Sequence, residues 1–164
     1  MTSTIDTTDK RVRPQHRANI AALAPDSYQA MSAFSDAVDG TVLERSLALL
    51  VWIRASQING CAYCIDMHTI DARAEGETEQ RIYALSAWRE TPFFTERERA
   101  ALALAEAVTL VADGHVPDDV YEAATRIFDK EELASLVWHT IVINAWNRLA
   151  ITSRSEPGHY KIES

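Results

Sequence analysis

Glycine and proline interrupt this chain at few places, and the segments between them carry apolar residues at helical spacing. The 164 residues include five glycines and five prolines. Between Pro25 and Gly40, apolar side chains recur every three or four residues, at Tyr28, Met31, Phe34 and Val38. No segment alternates apolar and polar residues between hairpin turns. The sequence therefore predicts an all-α fold, as a single-domain helical bundle of about six to seven helices.

Breakers and capping residues place the helix boundaries. Thr95 and Glu98 have the spacing of a capping box, which marks a helix start. We expect a weakly ordered N-terminal segment over residues 1–18 and one domain over 19–164, which ends in a tail from residue 155. Within that domain, helices are expected over residues 25–40, 41–58, 61–76, 78–88, 95–114 and 130–153, with a further short helix from residue 117.

The composition excludes some classes of partner. The net charge is −8, whereas a nucleic-acid-binding protein needs a basic face. No apolar run approaches the ~20 residues of a membrane span, and residues 1–13 lack the apolar stretch of a secretory signal. We therefore expect a cytoplasmic protein with neither a nucleic-acid nor a membrane partner.

The chain has two cysteines, Cys61 and Cys64, and they lie three residues apart. A disulfide scaffold of a small secreted protein uses more cysteines, spread along the chain. Asn59 and Gly60 break the preceding helix, so Cys61 stands where the next one begins. Free N–H groups and the helix dipole stabilise an anion there, which lowers a thiol pKa below its free value of ~8.5. The pair therefore indicates redox chemistry through a thiolate.

His68 follows Cys64 by four residues, so both side chains share one helix face. Cys61 and Cys64 are close enough in sequence to form a disulfide. We expect Cys64 to be the attacking thiolate, with His68 transferring its proton. Cys61, nearer the helix start and expected to be more exposed, resolves the sulfenic acid into a disulfide. The opposite assignment, in which Cys61 attacks as in thioredoxin-like pairs, stays open.

Other interpretations of the motif compete with redox chemistry. Two cysteines can be buried structural residues, and His68 can be a core histidine. Cys61, Cys64 and His68 could also bind zinc, with Asp66 or a distant histidine as the fourth ligand. However, these groups lie within two turns of one helix, whereas a structural zinc site usually recruits a second element. We expect no metal and no cofactor.

Two segments resemble the alkylhydroperoxidase D-like branch of the carboxymuconolactone decarboxylase superfamily. They are residues 54–68 (RASQINGCAYCIDMH) and residues 144–150 (NAWNRLA). The resemblance extends over about residues 25–160 and implies an all-helical homo-oligomer, a trimer or hexamer. Members that decarboxylate carboxymuconolactone lack the cysteine pair, so its presence argues against that reaction.

The resemblance also implies roles for individual residues and partners. Cys64 corresponds to the attacking cysteine, Cys61 to the resolving one and His68 to the helper histidine. The implied activity is peroxide or disulfide reduction. The implied electron donor is a lipoyl-carrying or thioredoxin-like protein.

The sequence departs from the family at two positions of the proton relay. The family glutamate twelve residues before the first cysteine is replaced by Leu49, and the histidine between the cysteines is replaced by Tyr63. Tyr63, His139 and Asn147 are candidates for supporting roles. A general base contributes about 10²–10⁴-fold to a rate, so the loss of the glutamate predicts slow peroxide turnover.

The leading interpretation is an antioxidant thiol peroxidase that takes a hydroperoxide as substrate and a thiol as electron donor. One alternative is a disulfide reductase that acts on a partner protein, which the missing glutamate favours. The other is a non-catalytic oligomeric redox sensor or small-molecule-binding protein that retains the motif.

Overall fold

The computed structural model describes residues 14–162, and every regular element in that range is a helix. A 3₁₀ helix (Leu85–Glu90) follows the fifth of eight α-helices. The α-helices are α1 (Ile20–Leu23), α2 (Pro25–Asp39), α3 (Arg45–Asn59), α4 (Ala62–Ala74), α5 (Glu79–Ala84), α6 (Glu96–Thr109), α7 (Asp118–Thr125) and α8 (Lys130–Ser153). The all-α prediction is confirmed.

The number of α-helices in this range exceeds the predicted six to seven because a single turn precedes α2. The Asn19 side chain accepts a hydrogen bond from the Ala22 amide and caps α1. Ala24 then leaves the helical conformation, with φ −138° and ψ 65°. A residue before proline disfavours the α conformation, so Pro25 ends α1 and opens α2.

Residues 14–19 have no regular secondary structure. The rest of the N-terminal segment, residues 1–13, lies outside the described residues. The predicted division between a weakly ordered segment and a domain starting at residue 19 therefore stays a prediction.

Three predicted helices are shorter than expected. The helix predicted from residue 41 begins at Arg45, because the Thr41 hydroxyl donates to the Val38 carbonyl and closes α2. The helix predicted over 78–88 changes from α-helix to 3₁₀ helix after Ala84, and the backbone of Ala87 within the 3₁₀ helix is non-helical. The helix predicted over 95–114 ends at Thr109. Leu110, which follows it, is exposed and does not continue the buried face of the helix. The Thr95–Glu98 capping box is confirmed.

Helix α3 lies in the centre of the fold and packs against α4, α6 and α8. Its side chains from Leu47 to Ile53 are all buried, as are Ala55 and Ser56. A helix that is apolar on every side must be enclosed by other elements. The end of α3 therefore has a fixed place in the molecule, and the cysteine motif begins directly after it.

A nearly buried carboxylate fastens α6 to the surrounding elements. Glu106 accepts hydrogen bonds from Arg54 Nε at 2.6 Å and from Trp88 Nε1 at 2.9 Å, and it also pairs with Arg89. Burial alone raises the pKa of the Glu106 carboxyl, but the hydrogen bonds from Trp88, Arg89 and Arg54 hold it below its ordinary value. Glu106 is therefore ionised and links α6 to α3 and to the 3₁₀ helix.

Replacing this carboxylate is expected to destabilise the protein. Glu106→Gln leaves the Arg54 guanidinium without a counter-charge, and we expect the free energy of unfolding to fall by about 2–3 kcal/mol. Urea denaturation followed by circular dichroism measures the change. The matched control is Glu122→Gln on the exposed face of α7, which should change stability by less than about 0.5 kcal/mol. Equal stability of the two variants would contradict this role of Glu106.

Candidate active site

A tight turn between α3 and α4 presents the cysteine pair. Gly60 ends α3 in the left-handed conformation, with φ 71°, which glycine adopts without steric cost. The Cys61 amide donates to the Ser56 carbonyl at 2.9 Å. Cys61 is then the N-cap of α4. The predicted position of the pair at a helix start is confirmed.

Cys61 and Cys64 are joined by a disulfide, with their Cα atoms 5.4 Å apart. The Cys64 amide donates to Cys61 Sγ at 3.3 Å. A backbone N–H and the positive end of the α4 dipole therefore act on the Cys61 sulfur. A negative charge on Cys61, once the disulfide opens, is stabilised by both.

The expectation that Cys61 is the more exposed cysteine is wrong. Cys61 is 1% exposed and Cys64 2%. Both cysteines pack within the hydrophobic core, and the Cys61 side chain turns back over the first turn of α4 as its N-cap. Cys64, one turn further, lines a cavity, and Cys61 does not. A small molecule in the cavity therefore meets Cys64.

This cavity, of about 340 Å³, is lined by residues of α2, α3, α4 and α8. Its walls combine aromatic and aliphatic side chains with a polar cluster. The lining residues besides Cys64 are Tyr28, Ser32, Ser35, Asp39, Arg45, Trp52, Tyr63, Met67, His68, Asp71, Val142, Ile143, Trp146 and Ala150.

His68 lines the cavity one helical turn after Cys64, as the spacing predicts. Its Nδ1 atom lies 3.4 Å from Asp71 Oδ2, although the geometry is not that of a hydrogen bond. The sequence analysis did not single out Asp71, which the three-residue interval from His68 could have indicated. The site therefore contains a sulfur, an imidazole and a carboxylate along one face of α4.

Trp52 of α3 separates this cluster from the second histidine considered as a support. The Trp52 ring lies 4.9 Å from the His68 ring and 5.4 Å from the His139 ring, between centroids. His139 does not line the cavity, and its Nε2 lies 3.2 Å from Thr41 Oγ1. Burial, with a smaller contribution from the Arg45 charge, lowers the pKa of His139 to about 4. His139 is therefore a neutral, buried histidine behind Trp52.

An ion pair lies at the cavity wall opposite α8. Arg45 Nη1 is 3.7 Å from Asp39 Oδ1, and the Arg45 guanidinium lies 4.8 Å from the centre of the Trp52 ring. Burial raises the pKa of Asp39, although the Arg45 and His68 charges oppose this. The polar wall thus carries charges of both signs.

Asn147, the third candidate support, lies outside the cavity but holds the turn before Cys61. Asn59 Nδ2 donates to Asn147 Oδ1 at 2.8 Å and to Asn144 Oδ1 at 3.0 Å. Asn147 Nδ2 donates in turn to Ser56 Oγ at 3.0 Å. These bonds join the end of α3 to α8.

The two departures from the family pattern have different surroundings. Tyr63 lines the Cys64 cavity. Leu49 is buried and lines a second, smaller cavity together with Ala72 and Glu77. The carboxylate next to the site imidazole is therefore that of Asp71 on α4, and position 49 supplies none.

The zinc hypothesis has no matching set of ligands. Across residues 14–162, no three His, Cys, Asp or Glu side chains are grouped so that they could hold a metal ion. Both sulfurs of the motif are engaged with each other in the disulfide.

Comparison with known families shows to which family the chain belongs. Residues 25–107 match the model of the carboxymuconolactone decarboxylase family. The chain belongs to this family. The uncharacterized protein YdfG of Bacillus subtilis (strain 168) is 43% identical over 135 residues, which are 82% of this chain and 92% of that protein.

Solved structures agree with this assignment. A protein of unknown function from Agrobacterium tumefaciens, provisionally assigned as the antioxidant defence protein AhpD, superimposes with a TM-score of 0.86 at 39% identity. That match covers 89% of this chain and all of the other. The debrominase Bmp8 has a TM-score of 0.75 at 20% identity over 84% of this chain and 74% of its own, which shows a shared fold. The expected likeness to alkylhydroperoxidase D-like proteins is confirmed.

We expect Asn147 to be essential for the stability of the α3–α4 turn. Asn147→Ala removes a hydrogen-bond partner of the half-buried Asn59 amide and of the buried Ser56 hydroxyl, which should lower the free energy of unfolding by about 2–3 kcal/mol. Thr152→Ala is the matched control, because Thr152 is an exposed residue of the same helix. Urea denaturation of both variants measures the difference. A loss no larger in the first variant would contradict this assignment.

Proposed function

We propose that this protein is a thiol peroxidase that reduces hydroperoxides through Cys64 and Cys61, with His68 transferring the proton. The observation that carries this proposal is a cysteine pair at disulfide distance in which only Cys64 lines a cavity. His68 lines the same cavity one turn away. The chemistry is that of cysteine itself and requires no metal or cofactor.

In the first step the Cys64 thiolate attacks the terminal oxygen of a hydroperoxide. A sulfur–oxygen bond forms, the oxygen–oxygen bond breaks, and the alcohol leaves with a proton from His68. Cys61 then attacks the sulfenic acid on Cys64, which releases water and forms the disulfide. The hydroperoxide has gained two electrons, and the two thiols have lost them.

Reduction of the disulfide uses the same asymmetry between the two sulfurs. A donor dithiol reaches Cys64 from the cavity and attacks its sulfur, and Cys61 leaves as a thiolate. The Cys64 amide and the N-terminus of α4 stabilise that thiolate, and a stabilised thiolate leaves faster. A second attack within the donor releases Cys64, so two electrons return to the pair.

The proposal includes partners and a compartment. The donor is a lipoyl-carrying or thioredoxin-like protein, and the enzyme works in the cytoplasm as a homo-oligomer, a trimer or hexamer. Trp138 and Ile141 of α8 support an assembly, because both are large apolar residues that the single chain leaves exposed. In residues 14–162 no helix is long and apolar enough to cross a membrane.

A disulfide reductase that acts on a partner protein is the second candidate. The observation that favours it is Leu49, which cannot carry the proton of the family glutamate. The same cysteine pair would then exchange disulfides with a protein substrate and reduce peroxides slowly.

A thiol count separates the two candidates. We expect the two thiols of the reduced protein to disappear when a slight excess of an organic hydroperoxide is added in metal-free buffer. A dithiol reductant should then restore both. Protein with both cysteines replaced by serine gives the baseline of the assay. Thiols that persist with the hydroperoxide, yet oxidise readily with a disulfide-bonded partner protein, would replace the peroxidase by the reductase.

The roles of the cysteines predict different products in two single variants. In Cys61→Ser, the sulfenic acid on Cys64 has no resolving thiol and should be trapped in a yield near one per chain by a sulfenic-acid-specific reagent. In Cys64→Ser, peroxide reduction should be abolished and no sulfenic acid should form. Mass spectrometry locates the adduct. A sulfenic acid on Cys61 in the Cys64→Ser protein would reverse the two roles.

A further inference from the structure

We propose that Asp71 and Tyr160 are positioning residues for His68, so that the C-terminal segment after α8 completes the active site. The proposal deepens the peroxidase function and rests on it, because it assigns the means by which His68 is held for proton exchange with Cys64. Its central observation is a continuous series of contacts from the Tyr160 hydroxyl through the Asp71 carboxylate to the His68 imidazole.

The spacing along α4 brings the three polar groups of this helix together. Cys64, His68 and Asp71 follow one another at intervals of four and three residues, so they lie on one face. All three line the same cavity. His68 Nδ1 lies at ion-pair distance from Asp71 Oδ2, which leaves Nε2 as the nitrogen available to the sulfur.

The C-terminal segment crosses this helix and is bound to it at two points. The Gly158 amide donates to Asp66 Oδ2 at 2.8 Å. Two residues further, the Tyr160 hydroxyl donates to Asp71 Oδ1 at 2.6 Å. Each oxygen of the Asp71 carboxylate thus has its own partner, Tyr160 on one side and His68 on the other. This arrangement fixes the rotation of the carboxylate.

The charge states of both groups suit this arrangement. Burial on its own raises the pKa of Asp71, but the contact with His68 and the hydrogen bond from Tyr160 outweigh it and leave the pKa below its ordinary value. The bond to Asp71 raises the pKa of Tyr160 to about 12. Near neutral pH, Asp71 is therefore an anion and Tyr160 a hydrogen-bond donor.

A fixed carboxylate beside Nδ1 has two effects on the imidazole. Its negative charge, 3.4 Å from Nδ1, favours the tautomer that carries its proton on Nδ1, so that the lone pair of the neutral ring is on Nε2, where it can take the Cys64 proton. It also stabilises the imidazolium that results, and hence the ion pair of imidazolium and Cys64 thiolate. The other titratable or charged side chains that line the cavity with the imidazole are Tyr28 and Asp39 from α2, Arg45 from α3 and Tyr63 from α4, whereas α8 lines the cavity with uncharged side chains.

The alternative is that Tyr160 only docks the C-terminal segment onto α4. In that case its loss would lower stability and leave the acidity of Cys64 unchanged. The pH dependence of Cys64 alkylation distinguishes the two roles, because it reports the Cys64 thiolate directly and requires no peroxide.

The experiment compares reduced wild type with Asp71→Asn, Tyr160→Phe and the double variant. Iodoacetamide alkylation is followed across pH, and mass spectrometry separates the adduct on Cys64 from that on Cys61. Tyr83→Phe is the matched control, since Tyr83 is exposed and bonds to Glu79 on α5, away from the site. Circular dichroism verifies that each variant is folded.

We expect Asp71→Asn to raise the midpoint of Cys64 alkylation by about one pH unit, because the imidazolium loses its counter-charge. Near neutral pH this corresponds to a rate about tenfold lower. Tyr160→Phe should raise the midpoint by less, and the double variant should match Asp71→Asn alone, since Tyr160 acts through Asp71. Tyr83→Phe should match wild type.

Two results would overturn the proposal. An unchanged midpoint in folded Asp71→Asn would remove the role of the carboxylate. A Tyr160→Phe shift as large in the Asp71→Asn background as in wild type would show that Tyr160 does not act through Asp71. Neither result bears on peroxide reduction, which fails separately if wild-type thiols persist in the presence of hydroperoxide.

Discussion

The hydrogen bonds of Asn59 hold the end of α3 against α8, and the positions of both sulfurs depend on them. Asn59 donates to Asn144 and Asn147, and the chain then reverses at Gly60 to begin α4. The amides of Asn144 and Asn147 are buried and must have partners, because a buried amide left unsatisfied costs about 1–3 kcal/mol. The family segment around residues 144–150 thus has a physical role. It secures the turn from which the cysteine motif starts, although none of its amides touches a sulfur.

The two sulfurs lie three residues apart and have different surroundings. In the reaction we propose, this difference determines which sulfur is attacked and which one leaves. Both cysteines pack in the hydrophobic core, but Cys61 accepts the hydrogen bond of the Cys64 amide and Cys64 lines the cavity. Access from the cavity is therefore a property of Cys64, whereas stabilisation of the anion is a property of Cys61. In the reaction we propose, attack from the cavity at Cys64 releases the stabilised sulfur of Cys61.

Local spacing predicted those parts of the site that lie within a single helix. The intervals between Cys61, Cys64 and His68 follow from helix geometry, and so does the cap position after Gly60. The exposure of Cys61 was predicted wrongly, because helix position gives the direction of a side chain but not what covers it. Tyr160 belongs to the tail expected from residue 155, and its bond to Asp71 spans 89 residues of sequence. No periodicity encodes such a contact. His139 was predicted as a possible support of the site. The structure places it against the Trp52 ring and outside the cavity that His68 lines.

The loss of the family glutamate at Leu49 need not leave the imidazole without a carboxylate. Proton exchange at Cys64 requires a negative charge close to His68 and fixed in direction, and the position of its residue in the sequence is immaterial. Asp71 meets this requirement from within α4 itself, one turn beyond His68. A short aspartate on the same helix has few rotamers, and the bond from Tyr160 restricts it further. In the mechanism we propose, the relay therefore depends on the C-terminal segment, whereas a relay through position 49 would depend on α3.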